Sequence, residues 1–185
     1  GAEIQLQEGP TLILLAPDHA GYSDLCRLIT RGRRAATKGS YSLSRSDIRE
    51  HAAHLLALWP PRIDGSDAED VHWLKAAFAS RLWVALHQRR DGLDSQRRQR
   101  AEVLQQTYRL PVTAVGGVVM HGRGRRALAD VMTSLRLRTP LTACAKALAA
   151  NAEAHLRSRE ELATLYPPEW LNESLRIAQR CRFQL

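Results

Sequence analysis

The segment YRLPVTAVGGVVMHGRGRR, Tyr108 to Arg126, carries the chain's densest set of residues with chemical potential. An apolar run, Val112 to Val115, follows Pro111. Then come Gly116 and Gly117, an apolar triplet, His121 and the arginines Arg123, Arg125 and Arg126. Polar chemistry just past the carboxyl end of a strand is where barrel and open α/β folds put their sites. Gly117 and Val119 stand at that place here, and neither can ligate a metal or move a proton. The position is that of an active site, and the residues are those of a site that has lost its function. The run Gly122–Arg126 points to an anion instead, because glycines between guanidiniums can follow a phosphodiester backbone. A solvated basic loop is the other reading of the same residues.

Other candidates are scattered. Glu3, in Gly-Ala-Glu, is a carboxylate able to ligate a divalent metal from a strand end. His51 and His54 lie three apart on an expected helix, where a shared metal competes with an exposed polar pair. His87 closes one expected strand and His121 follows another, so each can face a site at the strands' carboxyl ends. No HExxH, GxSxG, P-loop or dinucleotide fingerprint occurs, and Gly116-Gly117 alone is too short to cradle a phosphate. Cys26, Cys144 and Cys181 are odd in number and widely spaced, which argues against a disulfide framework and a zinc site. Cys26 falls on an apolar helical stripe and is expected to be buried.

The elements that must position these residues follow from periodicity. Residues 11–16, TLILLA, read as a strand stopped by Pro17, and Asp18 can cap a helix over 19–34 with Tyr22, Leu25, Cys26 and Ile29 as its stripe. Ser44 or Ser46 can cap a second helix carrying Ile48, Ala52, Leu55 and Leu56 and ended by Trp59-Pro60-Pro61. A third helix uses Val71, Leu74 and Phe78. Residues 81–87 read as a strand with Leu82, Val84 and Leu86 on one face. A polar helix over about 95–108 exposes Arg97, Arg98 and Arg100, and the strand at 112–115 follows. Leu128, Val131, Met132 and Leu135 then mark a helix. An alanine-rich stretch, a capping box from Ser158 to Glu161 and a last helix over 169–182 using Leu171, Leu175 and Ala178 complete the chain. The alternation predicts an α/β fold with parallel strands.

At 185 residues and 44% hydrophobic content, the chain is long enough for one cored domain, and with 5% aromatics aliphatic side chains must fill most of its core. Net charge is +8, almost all from arginine, since Lys38, Lys75 and Lys146 are the only lysines. A guanidinium surplus favours an anionic partner, nucleic acid foremost, although a GC-rich genome produces the same bias. No apolar run reaches membrane-spanning length and no signal peptide opens the chain, so a reduced, cytoplasmic protein is expected.

Taken together, these segments resemble a known family. LLAPDHAGYSDLCRLITRGRRAATKGSYSL is similar to the part of bacterial C-family polymerases, the DNA polymerase III α subunits, in which a strand ending LLA leads into a helix of the form GYxNLCxLIT. TAVGGVVMHGRGRRALADVMTSLRL resembles the pattern GDVHMHxRSRRxLxDVLTAIRL of their error-prone paralogue, which serves damage-induced synthesis. NAEAHLRSREELATLYPPEWLNESLRIAQRCRF resembles that paralogue's next segment. The resemblance implies the polymerase-and-histidinol-phosphatase (PHP) domain, a distorted seven-stranded β/α barrel that binds up to three metals where active. It makes Glu3 a ligand position. The family's Asp-x-His pair falls on Gly117 and Val119, so both ligands are missing, and His121 matches the histidine that follows the pair.

The resemblance implies a partial, distorted PHP-type β/α barrel with parallel strands over residues 1–140 and a helical segment over 141–185 leading towards a polymerase body. The expected role is non-catalytic: packing against that body and guiding DNA, with Arg31, Arg33, Arg34, Arg123, Arg125 and Arg126 on phosphates. The alternative is a metal-dependent phosphoesterase built from Glu3, His87 and His121. No cofactor is expected for this chain. Mg2+ would belong to the parent polymerase, and residual Zn2+ or Mn2+ is not expected. DNA, the remainder of the polymerase polypeptide and other replication or repair subunits are the expected partners, with no membrane. Because three strands leave a barrel edge open, self-association is also expected.

Overall fold

The computed structural model describes residues 1–184. Two strands, β1 (Ala2–Gln5) and β2 (Thr11–Leu15), open the chain. They are followed by α1 (His19–Arg34), α2 (Arg45–His51), β3 (Leu56–Trp59), α3 (Ala68–Phe78), β4 (Leu82–His87), α4 (Asp94–Tyr108) and β5 (Val112–Val115). Three helices finish it: α5 (Arg126–Leu137), α6 (Arg159–Leu165) and α7 (Pro168–Arg180). The sheet order is β1-β2-β3-β4-β5.

The fold is α/β, as expected, but the sheet is open and mixed, with the expected parallel direction in only part of its five strands. β1 pairs antiparallel with β2, and β2 antiparallel with β3; only β3-β4-β5 are parallel. For β1 and β2 the reason is loop length. Only residues 6–10 join β1 to β2. A parallel crossover needs about a dozen residues or more, so so short a link permits only a hairpin.

Two cores flank the sheet. One face collects Leu12, Leu14, Ala57, Trp59, Val84 and Leu86 with side chains of α1 to α4. The other collects Leu56, Leu58, Trp83 and Ala85 against Ile177 of α7. The period-two split of β4 follows the expected alternation. The expected second helix does not reach Trp59: it stops at His51, and Leu56–Trp59 is a strand buried along its whole length. A strand covered on both faces is apolar at every position, so LALW lacks the alternation that separates strand from helix.

Capping occurs where the residue types demanded it. Asp18 accepts from the Gly21 N–H at 2.8 Å, and Ser44 and Asp47 form a reciprocal capping box on α2. The buried stripe of α1 differs from expectation. It runs Gly21, Leu25, Leu28 and Gly32, whereas Tyr22, Cys26 and Ile29 are exposed. A Cβ at Gly21 would meet Pro17 and the His54 carbonyl, so the glycine is what brings the helix against the chain there. In α7 the buried residues are Trp170 and Ile177, and Leu175 is exposed. Tyr166 and Trp170 join the same core as the sheet.

Candidate nucleic-acid interface at the strand ends

The parallel strands deliver three chain segments to one edge of the sheet. β3 runs into Pro60, Pro61 and Arg62; β4 ends at His87 before Gln88 and Arg89; β5 runs into Gly116 and Gly117. Tyr166 ties two of them together. Its hydroxyl accepts from the Gln88 N–H at 2.9 Å and donates to the Val115 carbonyl at 3.1 Å. Burial pushes this phenol's pKa up, so the proton needed for the second bond is retained.

Beside this junction a cleft of about 400 Å³ is lined by Arg62, His87, Arg89, Arg97 and Arg100, with Asp64 at its mouth. Arg97 and Arg100 were expected on the exposed face of α4. Both are instead half-buried and turned into ion pairs, and only Arg98 of the three is exposed. Arg97 holds Asp91 and Asp94, its Nη1 lying 2.7 Å and 2.8 Å from their oxygens. The Arg97 hydrogen bonds outweigh desolvation and keep the Asp91 carboxyl at about 2. Arg100 reaches the buried Asp67 at 3.0 Å. Asp67 also accepts from the Arg62 N–H, and Asp94 accepts from the Arg89 and Arg90 N–H groups. These carboxylates fix the loops that present Arg62 and Arg89. The Arg62 guanidinium meets only the Ser66 hydroxyl, at 3.4 Å, and that of Arg89 has no partner among the described residues. Two exposed guanidiniums therefore stand over the cleft.

His87 forms the inner wall. Burial first, then the charges of Arg89 and Arg97, lower its pKa to about 4, so at neutral pH it is an uncharged imidazole. Its Nδ1 is buried without a hydrogen-bond partner. The ring packs on Gly117, where an added Cβ would lie 2.9 Å from both Cε1 and Nδ1. The imidazole thus fills the space that a side chain at 117 would need.

A second cluster lies behind the cleft. Asn151 donates to the Arg89 and Arg90 carbonyls, while the Ala154 carbonyl accepts from Val119 and Met120. Glu153 and Glu161 are held by Arg90, Arg123 and Arg157. Burial raises the Glu153 carboxyl, but the Arg157 hydrogen bond and the three guanidinium charges outweigh it and leave the pKa below its ordinary value. Ligand atoms of Glu153, His155 and Glu161 lie within 4.8 Å of one another, the donor set of a cation site. Three cations already surround the two carboxylates, so the cluster works as an ion-paired latch joining the loops after β4 and β5.

The sequence candidates are dispersed. Glu3 is exposed on β1, paired across the ladder with Ile13, and His121 is exposed after β5. These are the two outer strands, four spacings or roughly 19 Å apart. The structure does not bring the pair together, and of the histidines His87 is the one beside Gly117. Arg31 is bound to Asp47 at 3.0 Å, Arg33 reaches the Ser40 carbonyl at 3.2 Å, and Arg34 is exposed. That trio ends α1, which packs by β2, on the far side of the sheet from the arginines after β5. Arg123 is bound to glutamates, Arg126 contacts Asp130 and the Ala149 carbonyl, and Arg125 is exposed with no such partner among the described residues.

Sequence reasoning missed Arg62 and Arg89 as a pair. The available signal was their place directly after two strands; reading β3 as a helix hid it. Among the described residues no helix is long and apolar enough to cross a membrane.

No family model matches the chain. Over its whole length it is similar to error-prone DNA polymerases. It is 47% identical over 185 residues to that of Pseudomonas aeruginosa, 46% over 187 residues to that of Alkalilimnicola ehrlichii and 43% over 186 residues to that of Methylococcus capsulatus. In each case all of this chain aligns with 18% of the relative. The chain is homologous to a segment of those polymerases and spans less than a fifth of their length.

Proposed function

We propose that this chain, homologous to a segment of error-prone DNA polymerases, is a PHP-type region without catalytic chemistry of its own. It guides DNA and packs against the rest of a polymerase that works in damage-induced synthesis. DNA polymerisation, and the Mg2+ it requires, belong to other parts of such a polypeptide. The observation that carries this reading is the pair Arg62 and Arg89, exposed over a strand-end cleft that four arginines line against one carboxylate, Asp64. Such a lining attracts phosphate and leaves a metal few ligands.

The metal set implied for an active PHP domain does not fit here. Gly117 and Val119 offer no donor, Glu3 lies across the sheet, and the His87 ring occupies the volume next to Gly117. The reading therefore rests on binding and positioning.

The test is single-stranded DNA binding by fluorescence anisotropy as salt is varied. Each phosphate contact on a single strand contributes about 0.7 to the slope of log K against log salt. R62A/R89A should flatten the slope by about 1.4 and weaken binding equally across sequences. An unchanged slope in R62A/R89A would contradict the reading. So would Zn2+- or Mn2+-dependent phosphate release from p-nitrophenyl phosphate that is lost in H87A, which would favour the phosphoesterase.

A further inference from the structure

α5 is amphipathic, yet none of its residues is buried. Its stripe Leu128, Val131, Met132 and Leu135 recurs at i, i+3, i+4 and i+7, and these side chains are 55%, 42%, 59% and 66% exposed. Val119, 69% exposed, extends the patch. Val119, Met120, Leu128 and Met132 line a groove of about 560 Å³, with Arg125 and Arg136 on its rim. A helix this short is marginal in water unless its apolar face is covered.

Charge selects the occupant. Arg125 and Arg136 flank the stripe eleven positions apart, about 16 Å along a helix. Neither has an ionic partner among the described residues. The helix's one carboxylate, Asp130, lies 3.6 Å from Arg126. A second copy laid on this face about a two-fold axis would set arginine against arginine, whether the helices run parallel or antiparallel. Apolar burial would then be opposed by like charges that desolvation strengthens. A partner with an apolar stripe and acidic flanks meets no such opposition. The relatives supply a source: each extends more than five times as far as the matched segment, which is 18% of its length.

We propose that the α5 groove is the seat of an amphipathic helix with acidic flanks, contributed by the remainder of the polymerase polypeptide. This rests on the reading that the chain is one region of such a polymerase. It is independent of whether Arg62 and Arg89 touch DNA.

The probes are labelled 20-residue peptides tiling the part of the Pseudomonas aeruginosa relative outside the matched segment, titrated with the 185-residue chain. A bound peptide should be amphipathic with acidic flanks. Lysine in place of its acids should weaken it about tenfold or more. R125E/R136E should reverse that preference, and L128D/M132D/L135D should abolish binding without lowering the melting temperature, since these side chains support no core. Amide exchange along α5 should slow when the peptide binds. The proposal is overturned if no tile binds, if acid and lysine peptides bind equally, or if light scattering shows a dimer that L128D/M132D/L135D dissolves. The R62A/R89A salt slope separates the two claims. A flattened slope with no binding tile sinks the groove alone, and a binding tile with an unchanged slope sinks the DNA reading alone.

Discussion

His87 and Gly117 show how one residue's lack of a side chain shapes its neighbour. The backbone at Gly117 has φ of 55°, in the region that favours glycine, and the imidazole rests where a Cβ would be. Gly117→Ala should cost roughly 1–3 kcal/mol for the backbone conformation alone, with the collision against His87 added, measured as a lowered melting temperature. A wild-type melting temperature in this variant would contradict both the backbone cost and the collision with His87. The histidine itself should titrate by NMR near 4, well below its usual 6.5, because burial and two arginines disfavour its charge. A folded-state pKa below the unfolded one means the unfolded chain takes up the proton first. Stability is then lost as pH falls from about 6.5 towards 4, and is unaffected above that window. An NMR midpoint close to 6.5 would contradict the buried, neutral imidazole. None of this was legible in the sequence. His87 was recognised as ending a strand, but its pairing with Gly117 depends on β4 and β5 being neighbours.

Among the elements, β2 is legible as an apolar run of strand length stopped by Pro17, α3 and the boundaries of α1 from apolar spacing and the Asp18 cap, and β5 from its place after Pro111. The stripe of α1 was misphased because its inner face uses Gly21 and Gly32, which carry no hydrophobic signal. β3 was missed because burial on both faces removes alternation, and the latch of Glu153, Glu161 and three arginines was invisible because its members come from three separate loops and the first turn of α6. Arg157 is almost fully buried there, its side chain 2% exposed. Glu153→Gln should leave that guanidinium with Glu161, 3.7 Å away, as its remaining carboxylate and cost roughly 1–3 kcal/mol, read from chemical denaturation. Since the folded Glu153 pKa lies below its ordinary value, the latch contributes fully above about pH 4.5 and fades as pH falls through the folded value. A variant as stable as the parent at pH 7 would show that the latch contributes nothing. Tyr166→Phe should cost about 1–3 kcal/mol, because the Gln88 N–H and Val115 carbonyl lose a shared partner. An unaltered melting temperature would mean that water replaces the hydroxyl.

At the scale of the whole molecule, the sheet is open and asymmetric. Helices α1 to α4 cover one face, α7 contributes Trp170 to that core and Ile177 to the other, and the arginines that gather at the strand ends come from sequence positions as distant as Arg62 and Arg100. The fold class was readable because strands and helices alternate. The sheet's mixed direction was not, because β1 is four residues long and β3 had been read as helix. The cationic surplus pointed to an anion, yet composition cannot say which guanidiniums are spent on internal carboxylates and which remain free. Arg97, Arg100 and Arg123 are spent; Arg62, Arg89 and Arg125 are not. That division is what the DNA-guiding account asserts. NMR of the arginine Nε–Hε groups during titration with a single-stranded oligodeoxynucleotide tests it most directly. The account predicts that the Arg62 and Arg89 signals move first and that those of Arg97 and Arg100 stay in place. Shifts confined to Arg31, Arg33 and Arg34 on the far side of the sheet, with the cleft arginines silent, would contradict it.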